Sequence, residues 1–134
     1  MTNLFIQQRF QMHSGGFSDF KIECDALSQS DLDTLAFLIS RKFTFGGVYG
    51  IPRGGVALQK ALEKYITPES KTFLLVDDVF TTGGSMFEAR DKILDDITQQ
   101  GFSKLQGVVL FARGETPDWI QPVLHLEPLF WQND

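Results

Sequence analysis

The chain is poor in cysteine, poor in histidine and lacks any excess of positive charge, and each shortage removes a class of protein. Cys24 is the only cysteine, so no disulfide can form within the chain, and a reducing cytoplasm is the expected setting. Cys24, His13 and His125 do not make a zinc ligand set at any usual spacing. Lys and Arg number 12 against 17 Asp and Glu, a formal net charge of −5. No nucleic-acid partner is expected from that balance, and an anionic ligand would need a local device rather than the overall field. No apolar run approaches the length of a membrane span. Met1–Phe10 lacks the basic start and long apolar stretch of a signal peptide, so no membrane partner is expected either. Repeats, low-complexity tracts and linkers are absent. A chain of 134 residues, 43% of them hydrophobic, suffices for one core and is too short for two. Residues 1–134 are therefore read as a single domain.

What is present is an alternation of strand and helix patterns. Ser14-Gly15-Gly16 predicts a turn between two short strands. Phe20, Ile22 and Cys24 alternate with Lys21, Glu23 and Asp25, a half-buried strand. Ser30 to Phe43 predicts a helix opened by a Ser30–Asp33 capping box, with Leu32, Leu35, Ala36, Ile39 and Phe43 on its apolar face. Val48 to Ile51 reads as a strand, Pro52-Arg53-Gly54-Gly55 as a loop and Val56 to Tyr65 as a helix. Thr72 to Val76 is uninterrupted in its apolar character, as central parallel strands are. A loop at Thr81–Gly84 follows, then a helix from Ser85 to about Gln99 with a Ser85–Glu88 capping box. Leu105–Ala112 and Val123–Leu126 complete the strands. The order predicts an α/β fold with a mostly parallel sheet flanked by helices. Ligands of such sheets lie beyond the carboxyl ends of the strands, where the loops at 52–55, 77–84 and 113–116 fall.

The chemistry concentrates in Leu74-Leu75-Val76-Asp77-Asp78-Val79-Phe80-Thr81-Thr82-Gly83-Gly84-Ser85. A buried strand delivers two adjacent carboxylates, and a hydroxyl- and glycine-rich loop then opens a helix. The free N–H groups and partial positive charge of a helix start suit a phosphate. Thr81, Thr82 and Ser85 add hydroxyl donors, and Gly83 and Gly84 admit a ligand close to the backbone. Carboxylates repel phosphate and seek hydroxyl donors or a cation. A ribose diol beside a 5′-phosphate satisfies both halves. No Gly-Lys-Ser/Thr follows the glycines and no Gly-x-Gly-x-x-Gly spacing occurs, which excludes the Walker and dinucleotide loops.

Phe73 to Ser85 resembles the ribose-phosphate motif of type I phosphoribosyltransferases, and the chain as a whole is most similar to their orotate branch. The resemblance implies that Asp77 and Asp78 bind the ribose hydroxyls of 5-phosphoribosyl-1-pyrophosphate and that Thr81, Thr82, Gly83, Gly84 and Ser85 hold its 5′-phosphate. Ile51, Pro52, Arg53, Gly54 and Gly55 resemble the family's pyrophosphate loop, with its unusual peptide bond and with Arg53 as a bidentate phosphate partner. The segment from Phe10 to Ser18 is similar to the family's hood, the small subdomain over the base, and places His13 and Lys21 as base-binding candidates. Phe111-Ala112-Arg113-Gly114-Glu115 resembles the strand end that presents an arginine to the orotate carboxylate, with Ala112 where an acidic residue is usual. Trp119 and Trp131 read as base-stacking or core-closing aromatics. The implied activity is transfer of ribose 5-phosphate to a nitrogenous base, orotate-like, with Mg²⁺ held mainly through the substrate and a homodimer as the assembly.

One part of the family pattern is missing. Relatives carry a strand and a long basic loop between the pyrophosphate-loop helix and the Asp-Asp strand, whereas here only Ile66–Lys71 intervenes. Lys71 stands six residues before Asp77, roughly 20 Å away at the other end of the strand. Closure would have to come from 13–21, from 114–122 or from a neighbouring subunit. The shortfall keeps two alternatives open: a regulatory protein that binds the donor or a nucleotide with little catalysis, and a transferase for another base.

Overall fold

A computed structural model describes residues 27–126 and, ahead of them, the backbone of four two-residue strands. These are β1 (Phe5–Ile6), β2 (Phe10–Gln11), β3 (Phe17–Ser18) and β4 (Lys21–Ile22). β1 pairs antiparallel with β4 and β2 with β3, so two short strands flank the segment that holds Ser14-Gly15-Gly16. That turn, His13, Cys24 and Trp131 lie outside the described residues.

The main body is a four-stranded parallel sheet in the order β5 (Gly47–Gly50), β6 (Thr72–Phe80), β7 (Lys104–Arg113), β8 (Ile120–Leu126). α1 (Gln29–Lys42) precedes it, α2 (Val56–Leu62) and a 3-10 turn (Glu63–Tyr65) link β5 to β6, and α3 (Gly84–Gln99) links β6 to β7. Leu74, Val76, Val108 and Leu110 bury one face of the sheet with Ala36 and Ile39 of α1 and Leu58, Ala61 and Leu62 of α2. Leu75 and Val109 bury the other face with Met86 of α3. The expected α/β architecture, a parallel sheet with helices on both sides, is thus the observed one. Among the described residues no helix is long and apolar enough to cross a membrane.

Two local features differ from the sequence reading. α1 starts one residue earlier than expected, and its capping box is Ser28–Asp31 rather than Ser30–Asp33. Ser28 Oγ accepts from the Asp31 N–H at 3.1 Å, and Asp31 accepts from the Ser28 N–H at 2.9 Å. The Ser-x-x-Asp spacing occurs twice, two residues apart. The earlier copy wins because it sets Leu27 and Leu32 as the flanking apolar pair, both packed on the core, as in a hydrophobic staple. Asp33 instead accepts from Gln29 Nε2 at 3.0 Å.

The second difference is the link from β7 to β8. Parallel neighbours usually need a crossover of a dozen residues or more, yet residues 114–119 suffice. Ile120 is level with Gly107, six residues back from Arg113, so this strap descends about 20 Å along the sheet nearly extended. The Gly107 N–H donates to the Trp119 carbonyl at 2.7 Å where it arrives. Gly107 leaves room for the indole, since a Cβ there would lie 2.9 Å from the Trp119 ring.

The capping assignment is directly testable. Ser28→Ala should cost about 1 kcal/mol of stability, and Ser30→Ala close to nothing, in urea unfolding of the two variants.

Candidate functional site

Three segments converge at the carboxyl ends of the central strands. β5 runs level with Val76 at Gly50, and the next amide, Ile51 N–H, donates to the Val76 carbonyl at 2.9 Å. The chain then turns tightly into α2: Gly55 N–H donates to the Ile51 carbonyl at 2.7 Å and Gln59 N–H to the Gly55 carbonyl at 2.9 Å. Gln59 Oε1 reaches back to accept from Gly50 N–H at 2.7 Å. The Pro52–Arg53 peptide is cis, at the loop where the resemblance implied an unusual peptide bond. Gly54 lies against the acidic pair; a Cβ there would stand 2.3 Å from the Asp78 carboxylate. The loop and the carboxylates are one site.

β6 continues past Val76 and carries Asp77 and Asp78 within it, ending only at Phe80. The expected end at Val76 was too early because an acidic pair reads as a strand stop, whereas here the two side chains replace part of the ladder. Asp77 Oδ1 accepts from the Asp78 N–H at 2.8 Å, and Asp78 Oδ1 accepts from the Val79 N–H at 2.7 Å. Pairing with β7 skips Asp78 and resumes at Val79–Phe111. The facing pattern slips at the same place: Val76 and Val79 pack on the α1–α2 core, while Leu75 and Phe80 pack on the α3 core. β7 slips with it, since Leu110 and Phe111 lie in the first core and Ala112 in the second.

Asp77 is 7% exposed. Burial, and then the charge of Asp78, push its carboxyl up to about 7, against a lowering contribution from the Asp78 N–H. A hydroxyl donor or a cation placed against Asp77 would favour its ionised form and offset both causes.

Beyond Phe80 the loop is shorter than expected, and α3 begins at Gly84. Thr81, Thr82, Gly84 and Ser85 are exposed. Gly83 is buried with φ 89°, and a Cβ on it would meet the rings of Phe80 and Phe87 at 2.7 and 2.8 Å. Gly83 is thus required by the turn itself, and Gly84, with open space around it, is the glycine that faces outward. The expected Ser85–Glu88 capping box is absent: Gly83 is the N-cap, and no side chain caps the helix. Left-handed Gly83 sets the helix start one residue ahead of Ser85, leaving amides at the mouth of a 16-residue helix for a ligand.

Arg113 ends β7, one residue beyond the Phe80–Ala112 pair and so at the same edge. It is half-buried, and burial lowers its pKa. His125, which drew no role from the sequence, is level with Ala112 and contacts the Gly114 carbonyl through Nε2. Trp119 packs on the α3 core, in T-shaped contact with Phe87 at 5.7 Å and under Arg90 at 4.9 Å. Arg53 is exposed and borders a cavity between α1 and α2. Of the two hood candidates, His13 is outside the described residues, and Lys21 is described only as backbone in β4.

No lid arises from the described segments. Residues 66–71 are tied to the far end of the sheet, with Thr67 N–H on the Phe45 carbonyl at 2.8 Å and the Lys71 carbonyl accepting from Ser103 N–H at 2.9 Å. The 114–119 strap runs to that end too.

Between about pH 4 and pH 7 folded Asp77 keeps a proton that the unfolded chain releases, so its contribution to stability is present at low pH and is lost as pH rises through 7. Asp77→Asn should therefore stabilise the ligand-free protein by about 2–4 kcal/mol at pH 8, with the gain fading toward pH 4. Thermal melts across that range measure it.

No family model and no curated protein matches the chain in sequence. Solved structures do match. Orotate phosphoribosyltransferase from Aeropyrum pernix superposes with a TM-score of 0.71 at 19% identity, covering 91% of this chain and 88% of that one. The Mycobacterium tuberculosis H37Rv orotate phosphoribosyltransferase gives 0.63 at 14% identity over 91% and 89%. Leishmania donovani UMP synthase gives 0.67 at 17% identity, with 92% of this chain matching 34% of that larger one. The Helicobacter pylori xanthine-guanine-hypoxanthine enzyme gives 0.51 at 19% over 72% and 89%. With the parallel sheet, its flanking helices and the loops at its carboxyl edge, these likenesses show that the chain has the type I phosphoribosyltransferase fold.

Proposed function

We propose that the chain is a phosphoribosyltransferase that binds 5-phosphoribosyl-1-pyrophosphate across the 51–55 and 77–85 segments and passes its ribose 5-phosphate to a nitrogenous base. The observation that carries this reading is the meeting of three parts at one sheet edge: buried Asp77 beside half-buried Asp78, Gly54 packed on Asp78, and the uncapped start of α3 four residues after the end of β6. In the reaction a ring nitrogen of the base forms a bond to C1 of the ribose as the C1–oxygen bond to pyrophosphate breaks.

The chain's own work is positioning and charge placement. Asp77 and Asp78 each commit one carboxylate oxygen to a backbone N–H, leaving the other to accept from a ribose hydroxyl. Thr81, Thr82, Gly84 and Ser85 frame the 5′-phosphate, with Gly83 shaping the turn. The 51–55 loop would hold the pyrophosphate, with Arg53 as its cationic partner. Among the described residues no third Asp, Glu, His or Cys joins the acidic pair. Mg²⁺ fits the repulsion within the pair, and most of its ligands would be phosphate oxygens and water. When bound it would supply neutralisation of charge growing on the leaving group. Arg113 is suited to an acidic or carbonyl-rich base, an orotate-like one by likeness of fold, with His13 and Lys21 as further candidates. Phe37 and Leu38, 48% and 50% exposed on α1, support a homodimer, for which light scattering at micromolar concentration is the check.

A second reading, a donor- or nucleotide-sensing protein with little catalysis, is favoured by one observation: both segments that might close the site, 66–71 and 114–119, lead to the opposite end of the sheet.

Ser85→Glu separates binding from folding, because an acid in the first turn of α3 suits the helix dipole but repels a phosphate. Donor affinity by calorimetry should fall at least about tenfold, or 1.4 kcal/mol, with the melting temperature unchanged or higher; unchanged affinity sinks the phosphate assignment. Arg113→Ala should weaken base binding and spare donor binding. In single-turnover experiments with a matched base and Mg²⁺, the chemical step should be slower than that of a lidded orotate enzyme. Tight donor binding with no turnover on any base favours the sensor.

A further inference from the structure

A cavity of about 520 Å³ opens between α1 and α2. Its size is that of a small-molecule site, and it does not coincide with the acidic pair. Arg53, Lys60 and Lys64 line it, together with Gln29, Asp33 and small apolar residues of α2 such as Ala57. Three cations thus face one carboxylate in a chain whose net charge is −5. Asp33 is engaged by Gln29 Nε2 at 3.0 Å, and none of the three cations has an ion pair with a described residue. Lys64 lines the cavity, and its ammonium also rests over the Tyr65 ring, 5.4 Å from its centre.

We infer that this groove is a second anion site, separate from the 77–85 cradle, and that it takes an elongated polyphosphate group. Lys60 lies in the last turn of α2, Lys64 four residues on in the 3-10 turn that continues it, and Arg53 precedes the helix. The row of cations extends for about 12 Å or more. A lone phosphate is too short to meet all three, whereas a di- or triphosphate chain can lie along the row. The apolar α2 residues between the cations form a floor that leaves the charges unshielded by protein. Because the global field repels anions, binding here depends on these local cations and weakens with salt. Arg53 borders both this groove and the 51–55 loop. An occupant that draws on Arg53 would therefore lower affinity for the phosphoribosyl donor. That last consequence rests on the transferase reading; the groove itself does not.

Inorganic tripolyphosphate is the probe, applied to the full chain without donor and followed by calorimetry and by amide chemical shifts. Shift changes should centre on α1 and α2. Lys60→Ala/Lys64→Ala should weaken binding at least tenfold, and Asp33→Asn should tighten it. Lys92→Ala/Lys104→Ala, which removes two exposed cations elsewhere, should leave it unchanged, and Ser85→Glu should remove only the share of probe that the 81–85 loop takes up. Melting curves verify that each variant is folded. Equal losses in the two lysine pairs would show a diffuse charge effect and overturn the site. Complete loss of binding in Ser85→Glu, or shifts confined to 81–88, would place the probe in the cradle alone and overturn it as well, as would no binding by the wild type. A failed transferase assignment leaves these outcomes readable, since none of them measures donor or turnover.

Discussion

Two carboxylates side by side within a central strand are the constraint around which the rest of the site is arranged. A strand buried on both faces has no water to solvate charge, and Asp77 is 7% exposed. The chain meets this cost locally. Each carboxylate accepts from the next backbone N–H, which removes those amides from regular pairing and lets both β6 and β7 slip their facing pattern together. The remaining imbalance appears as an Asp77 carboxyl raised to about 7. A buried carboxyl raised in this way, beside a second carboxylate at a sheet edge, is what makes Asp77 a candidate functional position.

The neighbouring loops follow from that pair. Gly54 has no side chain because the Asp78 carboxylate occupies the space a Cβ would need. Gly83 turns the chain sharply enough to bring the start of α3 back to the same edge, and its left-handed conformation leaves the helix without a side-chain cap. An uncapped helix is normally less stable. Here the missing side-chain cap leaves the first amides of α3 without a side-chain partner, so under the proposed function stability and phosphate binding would pull in opposite directions at residues 83–85.

Most of this was legible in the chain. The strand–helix alternation, the parallel sheet, the acidic pair, the glycine-rich turn and the Pro52–Gly55 loop are all encoded in local patterns of apolar spacing and turn chemistry. The departures arose where two local signals competed or where distant residues decided. Ser28–Asp31 and Ser30–Asp33 are equal as motifs, and only packing of Leu27 and Leu32 on the core separates them. Asp77 and Asp78 look like a strand end until their side chains are seen bonding the backbone. The descent of 114–119 could not be read from six residues without helical or strand periodicity. The cations Arg53, Lys60 and Lys64 were invisible as a group for another reason: they come from a loop, α2 and the 3-10 turn after it, and they line a groove only when α1 packs beside them.

The strap also bears on how such a site can be closed. A mobile cover needs chain that starts and ends near the site. Residues 66–71 begin and end at the amino edge of the sheet, and residues 114–119 leave the carboxyl edge and do not return to it before β8 begins. Both are held by backbone hydrogen bonds at their far ends, so neither can swing over the acidic pair without breaking sheet pairing. Cover must therefore come from chain beyond residues 27–126 or from another molecule. A site of this kind can bind through the carboxylate pair and the helix start, both preformed, while excluding water only when that cover is in place. On the transferase reading, binding and turnover would be physically separable, because the groups proposed to hold a phosphoribosyl ligand lie within residues 27–126 and any cover would not.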